Sequence, residues 1–240
     1  ETKTSRNELA ETFNHRIGIG LKGQIDSLTR FEFKPGIIFS EQRSWRASNF
    51  QNTNNKVGAL NSSNNLQNIQ GKDVQYNHNF QLFKNFTKKG RTLTITNWVN
   101  MNDTENDQVN EVLNEFYYEN DTLASVLDQL RDRNQFNFST SLNANFNEPL
   151  GKQTNLRLGY QATYYINRDD IGTFTRDAAS GKYEEPDLDL TNNLQRKYWR
   201  HNLSGGLNWR YKKFNVTATA NLFWLDVYND FRKTGNIINQ

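Results

Sequence analysis

Between Phe136 and Ile166 the chain alternates apolar and polar residues twice. Phe136, Phe138, Leu142, Ala144 and Phe146 share one parity. Asn137, Ser139, Ser141, Asn143 and Asn145 share the other. After Glu148-Pro149-Leu150-Gly151 the alternation resumes with Leu156, Leu158, Tyr160, Ala162, Tyr164 and Ile166. Successive side chains of a strand point to opposite sheet faces. The stretch therefore predicts a hairpin with one apolar and one polar face.

The same period recurs along the chain and predicts eight strands. The first runs over Phe13–Ile25, followed by Phe31–Phe39, Val74–Leu82 and Leu93–Met101. The hairpin above supplies the fifth and sixth, and Trp199–Trp209 and Phe214–Trp224 complete the set. Short turns fall near positions 27, 88, 151 and 212. The opposite ends are joined by long polar stretches, 41–73, 102–134 and 167–197, expected to be loops. Inside the second of these, Leu123, Val126, Leu127 and Leu130 fall at i, i+3, i+4 and i+7, and Asp121 or Thr122 can cap a helix start. That spacing predicts a short helix over 121–131.

Aromatic residues gather at both ends of the apolar parity. Phe13, Tyr76, Tyr164, Trp199 and Trp224, with all three histidines (His15, His78, His201), sit toward the loops, and Phe31, Phe86, Phe146, Trp209 and Phe214 toward the turns. About ten residues separate the two levels. At about 3.3 Å per residue and a tilt near 40° they span about 25 Å, the height of the apolar band of a membrane barrel. Aromatic belts belong at the two headgroup layers, so Phe13, Tyr76, Tyr164, Trp199, Trp209 and Trp224 are expected at the membrane interfaces. Short turns at one end and long connections at the other match the same architecture. A soluble sandwich needs neither feature. The expected fold is all-β, a transmembrane antiparallel up-and-down barrel, with residues 1–240 as a single barrel region of a larger barrel.

Composition narrows the reading. The chain has 240 residues, mean hydropathy −0.91 and no cysteine, so neither a disulfide framework nor a thiolate metal site is expected. A net charge of +3, spread along the chain, gives no footprint for nucleic acid. No metal or cofactor is expected. The histidines fall on three different hairpins, and Asp103-Thr104-Glu105-Asn106-Asp107 lacks the glycine and the bidentate glutamate of a calcium loop. Gly18-Ile19-Gly20 lies inside a strand with no helix after it, which is not a nucleotide loop. No nucleophile–base–acid set can be placed, so no enzyme is expected. The polar parity carries Arg16, Lys22, Gln75, Asn77, Asn143, Arg157, Gln161 and Asn221, expected to face a wet lumen. Trp45, Phe50, Tyr117, Tyr118 and Tyr183 lie in the far connections and are the candidate ligand contacts. Glu1 is not preceded by an initiator Met, and the chain is expected to be a fragment lacking signal peptide and plug domain.

Several stretches resemble a known family: "RIGIGLKGQIDSLTRFEFKPGIIFSEQRS", "FKNFTKKGRTLTI", "NFNEPLGKQTNLRLGYQATYY" and "DAASGKYEEPDLDLTNNLQRKYWRHNLSGGLNWRYKKFNVTATANL". In that order, from about Arg16 to Leu222, they resemble the outer-membrane β-barrel family allied to TonB-dependent receptors. The resemblance implies a large barrel in the outer-membrane lipid of a Gram-negative cell. It implies an external ligand of unspecified kind, and coupling to the TonB system through segments outside this chain. A complete eight-stranded barrel with a structural or adhesive role is the first alternative, and it requires the first strand to pair with the last; an outer-membrane enzyme is the second, and it requires a catalytic set the sequence does not offer.

Overall fold

A computed structural model describes residues 1–118, 121–231 and the backbone of 236–239. The described chain is all-β and antiparallel. Its strands are β1 (Thr2–Gly18), β2 (Leu21–Asp26), β3 (Thr29–Asn54), β4 (Gly58–Asn85), β5 (Thr92–Tyr118) and β6 (Asp121–Pro149). They continue with β7 (Thr154–Arg176), β8 (Tyr183–Pro186), β9 (Asn192–Tyr211), β10 (Phe214–Phe231) and β11 (Asn236–Asn239). One sheet runs in the order β1-β3-β4-β5-β6-β7-β9-β10-β11, with β2 continuing β1 along β3 and β8 flanking β7. Neighbours in the sheet are neighbours in sequence, the up-and-down order that short hairpin connections dictate.

All eight expected strands are present, in β1/β2, β3, β4, β5, β6, β7, β9 and β10, but they are far longer than the alternation indicated. β3 to β6 have 26, 28, 27 and 29 residues. The stretches expected as loops are mostly strand. Residues 41–73 hold one narrow turn between Asn54 and Gly58, where Gly58 takes a positive φ of 85°. Within 102–134 the ladder of β5 on β6 runs unbroken from Asp103↔Phe136 to Tyr118↔Asp121. In 167–197 only 177–191 leaves the main strands, and β8 interrupts even that.

The expected helix over 121–131 is absent; those residues are the start of β6. Each apolar residue of the supposed helical face instead meets an apolar residue of β5. Leu123 lies opposite Phe116, Val126 opposite Leu113, Leu127 opposite Val112, and Leu130 opposite Val109. A lone helix this short is marginal, whereas cross-strand apolar pairs act along a ladder whose backbone groups are already joined.

Register fixes the faces. Phe31, Leu82, Ile95, Ala144, Tyr160, Leu203 and Leu222 form one continuous cross-strand row. One residue along, Lys22, Glu32, Gln81, Thr96, Asn143, Gln161 and Asn202 form the next row on the other face. The apolar band does not end along a row. Its last member before the polar extension is Phe39 on β3, Val74 on β4, Met101 on β5, Phe136 on β6 (in the row of Phe39 and Val74), Ile166 on β7, Trp199 on β9 and Trp224 on β10, so the descent is uneven in the middle and steady from β6 to β10. Trp224 shares its row with Phe33, not with Phe39. The boundary thus slips by about one residue per strand, which at about 3.3 Å along and about 4.8 Å across corresponds to strands tilted by about 35°. That is the tilt of strands crossing a membrane in a barrel.

Among the described residues, β1 and β2 pair only with β3, and β10 pairs with β9 and β11. The first-to-last ladder that a complete eight-stranded barrel requires is not among them.

Candidate functional site

The polar face is the candidate site. All eight residues expected there are on it: Arg16, Lys22, Gln75, Asn77, Asn143, Arg157, Gln161 and Asn221 lie in register with Ile38, Glu32, Ile38, Gly36, Gln161, Gly206, Asn143 and Ser204 respectively. The centre of this face is hydrogen-bonded. Ser141 is fully buried; its hydroxyl lies 3.2 Å from that of Thr163 and accepts from the Gln161 amide at 3.2 Å. Nearer the far end, Asn137 Oδ1 accepts from Asn167 at 2.6 Å and from the Tyr165 hydroxyl at 3.2 Å. Arg133 clasps Asp169 with two nitrogens, at 2.9 and 2.8 Å. That fork holds the Asp169 carboxyl below its ordinary range.

Among the hollows that open on this face, two are floored by glycine. The one nearer the short turns, about 360 Å³, is floored by Gly159, Ser204, Gly205 and Gly206 and edged by Asn145, Arg157 and Asn208. A Cβ on Gly159 would stand 2.4 Å from Ser204 Oγ, so only glycine leaves the floor in place. The other, about 330 Å³, lies just beyond the apolar band of the far side. Thr12, Asn14, Ser40, Gln42, Gln75, Thr104 and Asn106 line it around Gly71. Asp73 there accepts from Gln75 at 2.7 Å and from Thr104 at 2.8 Å. A Cβ on Gly71 would meet Asn106 Oδ1 at 3.1 Å. Hydroxyls and amides that both donate and accept suit a polar guest passing or resting along the face. Neither hollow was legible in the sequence. Gly159 and Gly71 stood at the right parity, but a hollow depends on which side chains flank a glycine in register.

The five candidate ligand contacts are not brought together. Trp45 and Tyr117 lie on the parity of the apolar face, Phe50 and Tyr118 on the polar one. Tyr183 is on β8, donating to Asp128 at 2.6 Å, and burial together with that carboxylate pushes its phenol up to about 12. Arg176 donates to the same Asp128 at 3.1 Å, so Tyr183 serves to tie the β7–β9 connection to β6.

The six residues expected at membrane interfaces, Phe13, Tyr76, Tyr164, Trp199, Trp209 and Trp224, all lie on the apolar face. Tyr164 stacks on Trp199 with ring centres 4.5 Å apart, and His201 on Trp224 at 4.9 Å, while the Tyr160 hydroxyl lies 2.9 Å from His201 Nδ1. His15 and His201 sit at or near the upper border of the band. His78 does not; it lies two outward positions inside, between Phe80 and Tyr76. There its ring nitrogens face Tyr76 Oη at 3.0 Å and Asn97 Oδ1 at 2.9 Å, and Asn97 donates on to Thr140 and the Ser141 carbonyl. A chain of internally met hydrogen bonds lets polar side chains stand in an apolar band.

At the short-turn end, Glu148 receives Lys88 at 2.6 Å and both Arg91 Nε and Nη2, linking the β4–β5 turn to β6. The two cations, Arg91 first, hold its carboxyl down at about 2.

No protein-family model matches this chain, and no curated protein does. Among solved structures it is similar to the FpvA of P. aeruginosa bound to heterologous pyoverdines (10% identity, TM-score 0.42) and to FpvAI in complex with pyocin S2 (11%, 0.37). It is also similar to the ferric citrate transporter FecA in its unliganded form (8%, 0.33). The likeness covers 97%, 97% and 95% of this chain but only 38%, 38% and 40% of those chains.

Proposed function

We propose that this chain is a sector of an outer-membrane β-barrel, receptor-like in kind, that binds or admits an external ligand along its polar face. The observation that carries the reading is the apolar band. It covers one face only, is bordered by aromatic residues, and runs obliquely to the register at the tilt of a membrane barrel. A soluble sheet packing on a protein core gains nothing from an oblique border. The hollows around Gly159 and Gly71 lie toward opposite ends of the polar face, where a lumen would open to either side. Uptake coupled to the TonB system rests on the sequence resemblance, and requires a plug and a coupling segment from outside these residues. The reading includes no catalytic step.

In this reading the short turns face the periplasm and the long hairpins the exterior. The chain has no cysteine, so single cysteines report cleanly. Lys56→Cys, in the β3–β4 turn, should react with a membrane-impermeant maleimide on intact cells; Ser27→Cys, in the β2–β3 turn, should react only after the outer membrane is breached. The reverse pattern would invert the barrel, and equal labelling of both in a soluble fraction would remove it from the membrane.

A further inference from the structure

Near the tip of the β5–β6 hairpin the sheet loses one neighbour before the other. β4 accompanies β5 as far as Asn61↔Phe116, but β7 reaches β6 only at Gln129↔Thr175. From Asp121 to Asp128, β6 is therefore paired on the β5 side alone among the described residues. Among those residues its other edge has no strand to bond its backbone donors and acceptors, and the Thr122 N–H turns instead to its neighbour Asp121 Oδ1 at 2.8 Å. Asp121 to Leu127 are all exposed, with Leu123 at 58% and Val126 at 73%.

Natural sheets guard such an edge with lysine, proline, a bulge or a cover. The segment Asp-Thr-Leu-Ala-Ser-Val-Leu-Asp has no lysine or proline, and its ladder shows no register shift. The gap also has a floor. Asp128, where the free edge ends, is clasped by Arg176 and Tyr183 at the top of β7 and β8. An added strand would stand above them, in the sheet position that β7 holds lower down. Charge selects among strands. Residues 109–128 carry five carboxylates, of which Asp128 is already held by Arg176, and no Lys, Arg or His, in a chain of net charge +3.

We propose that the 121–128 edge of β6 is a docking site for an extended peptide segment of a partner protein, basic at its ends and apolar at alternate positions, which joins the sheet as a further strand. Backbone bonds supply the attachment, and Leu123, Leu127 and Val126 grip alternate side chains from the two faces. The carboxylates of the hairpin favour the basic ends and speed the encounter. The proposal needs the register of β5, β6 and β7, not the orientation of the barrel, so it can fail while the membrane reading stands.

The test uses the complete protein in detergent and a fluorescein-labelled peptide, Lys-Val-Thr-Val-Thr-Val-Lys, followed by anisotropy. The peptide should bind saturably. N-methylation of its alternate amides, which blocks strand addition but keeps every side chain, should weaken binding at least tenfold. So should Val126→Lys, an exposed change of the kind that guards natural edges, and a peptide with Glu at both ends. No binding of the unmodified peptide would overturn the proposal. Equal binding of the N-methylated form would show mere apolar adhesion and overturn it too, as would indifference to Val126→Lys. A dimer lost on Val126→Lys, with no peptide binding, would assign the edge to a second copy of the chain instead.

Discussion

In the proposed membrane reading adjacent residues of this chain live in different solvents, and substitutions should show it. Leu142 is near the middle of the apolar band, 44% exposed, and Asn143 beside it points to the polar face. An arginine on the lipid side at mid-bilayer costs about 2–4 kcal/mol, and much less where water reaches it. Leu142→Arg should therefore lower unfolding stability in urea by that amount, and Asn143→Arg should change it little. Comparable losses would mean that the faces are misassigned. Glu148 responds to pH. Its folded carboxyl is held at about 2 against an ordinary 4.5, so its link to Arg91 and Lys88 is fully present above about pH 4.5 and fades as pH falls toward 2. The heat-unfolding midpoint of the native protein should exceed that of Glu148→Gln at pH 6, and the two should converge near pH 2. A constant gap would deny the bridge a role.

At the scale of elements, the β5–β6 hairpin shows how a pattern can be read with the wrong period. Leu123, Val126, Leu127 and Leu130 suit a helix in isolation. They also mirror Val109, Val112, Leu113 and Phe116 about the hairpin centre, so that every one meets a partner. The mirrored spacing was in the sequence; a single-segment reading could not see it. Leu113 is flanked on both sides, by Asn64 of β4 and Val126 of β6. Leu113→Pro must then forfeit a ladder bond whichever way the lost N–H pointed. It should make 109–130 the first site of protease cleavage and leave the heat resistance of the band unchanged. Were 109–130 no more easily cut than before, a paired hairpin there would be excluded.

The whole molecule can be read by its tryptophans. Trp199, Trp209 and Trp224 lie on the apolar face within or at the edge of the band, Trp98 lies at band height on the polar face, and Trp45 lies on the apolar parity but well beyond the band. In single-tryptophan variants reconstituted with brominated lipid, the first three should be strongly quenched, and Trp98 and Trp45 spared. Quenching of Trp98 would put lipid on the wrong face. What the sequence alone determined is local: the alternation of Phe136–Ile166 and of the six other strands, the turns at 27, 88, 151 and 212, and the sheet face on which each of the eight polar-parity residues and six apolar-parity aromatics stands. Period two is carried by each strand's own backbone, so it needs no neighbour to be legible. Only the tertiary structure decided how far the strands run, because beyond Phe39, Val74 or Met101 the apolar residues thin out and no longer keep to one parity, while the backbone ladder continues. It also decided which glycines open hollows, that Tyr183 binds Asp128 rather than joining Trp45, and that β6 keeps a bare edge at 121–128. Each of these depends on which strand ends where beside its neighbour, a relation between segments distant in sequence that no single segment encodes.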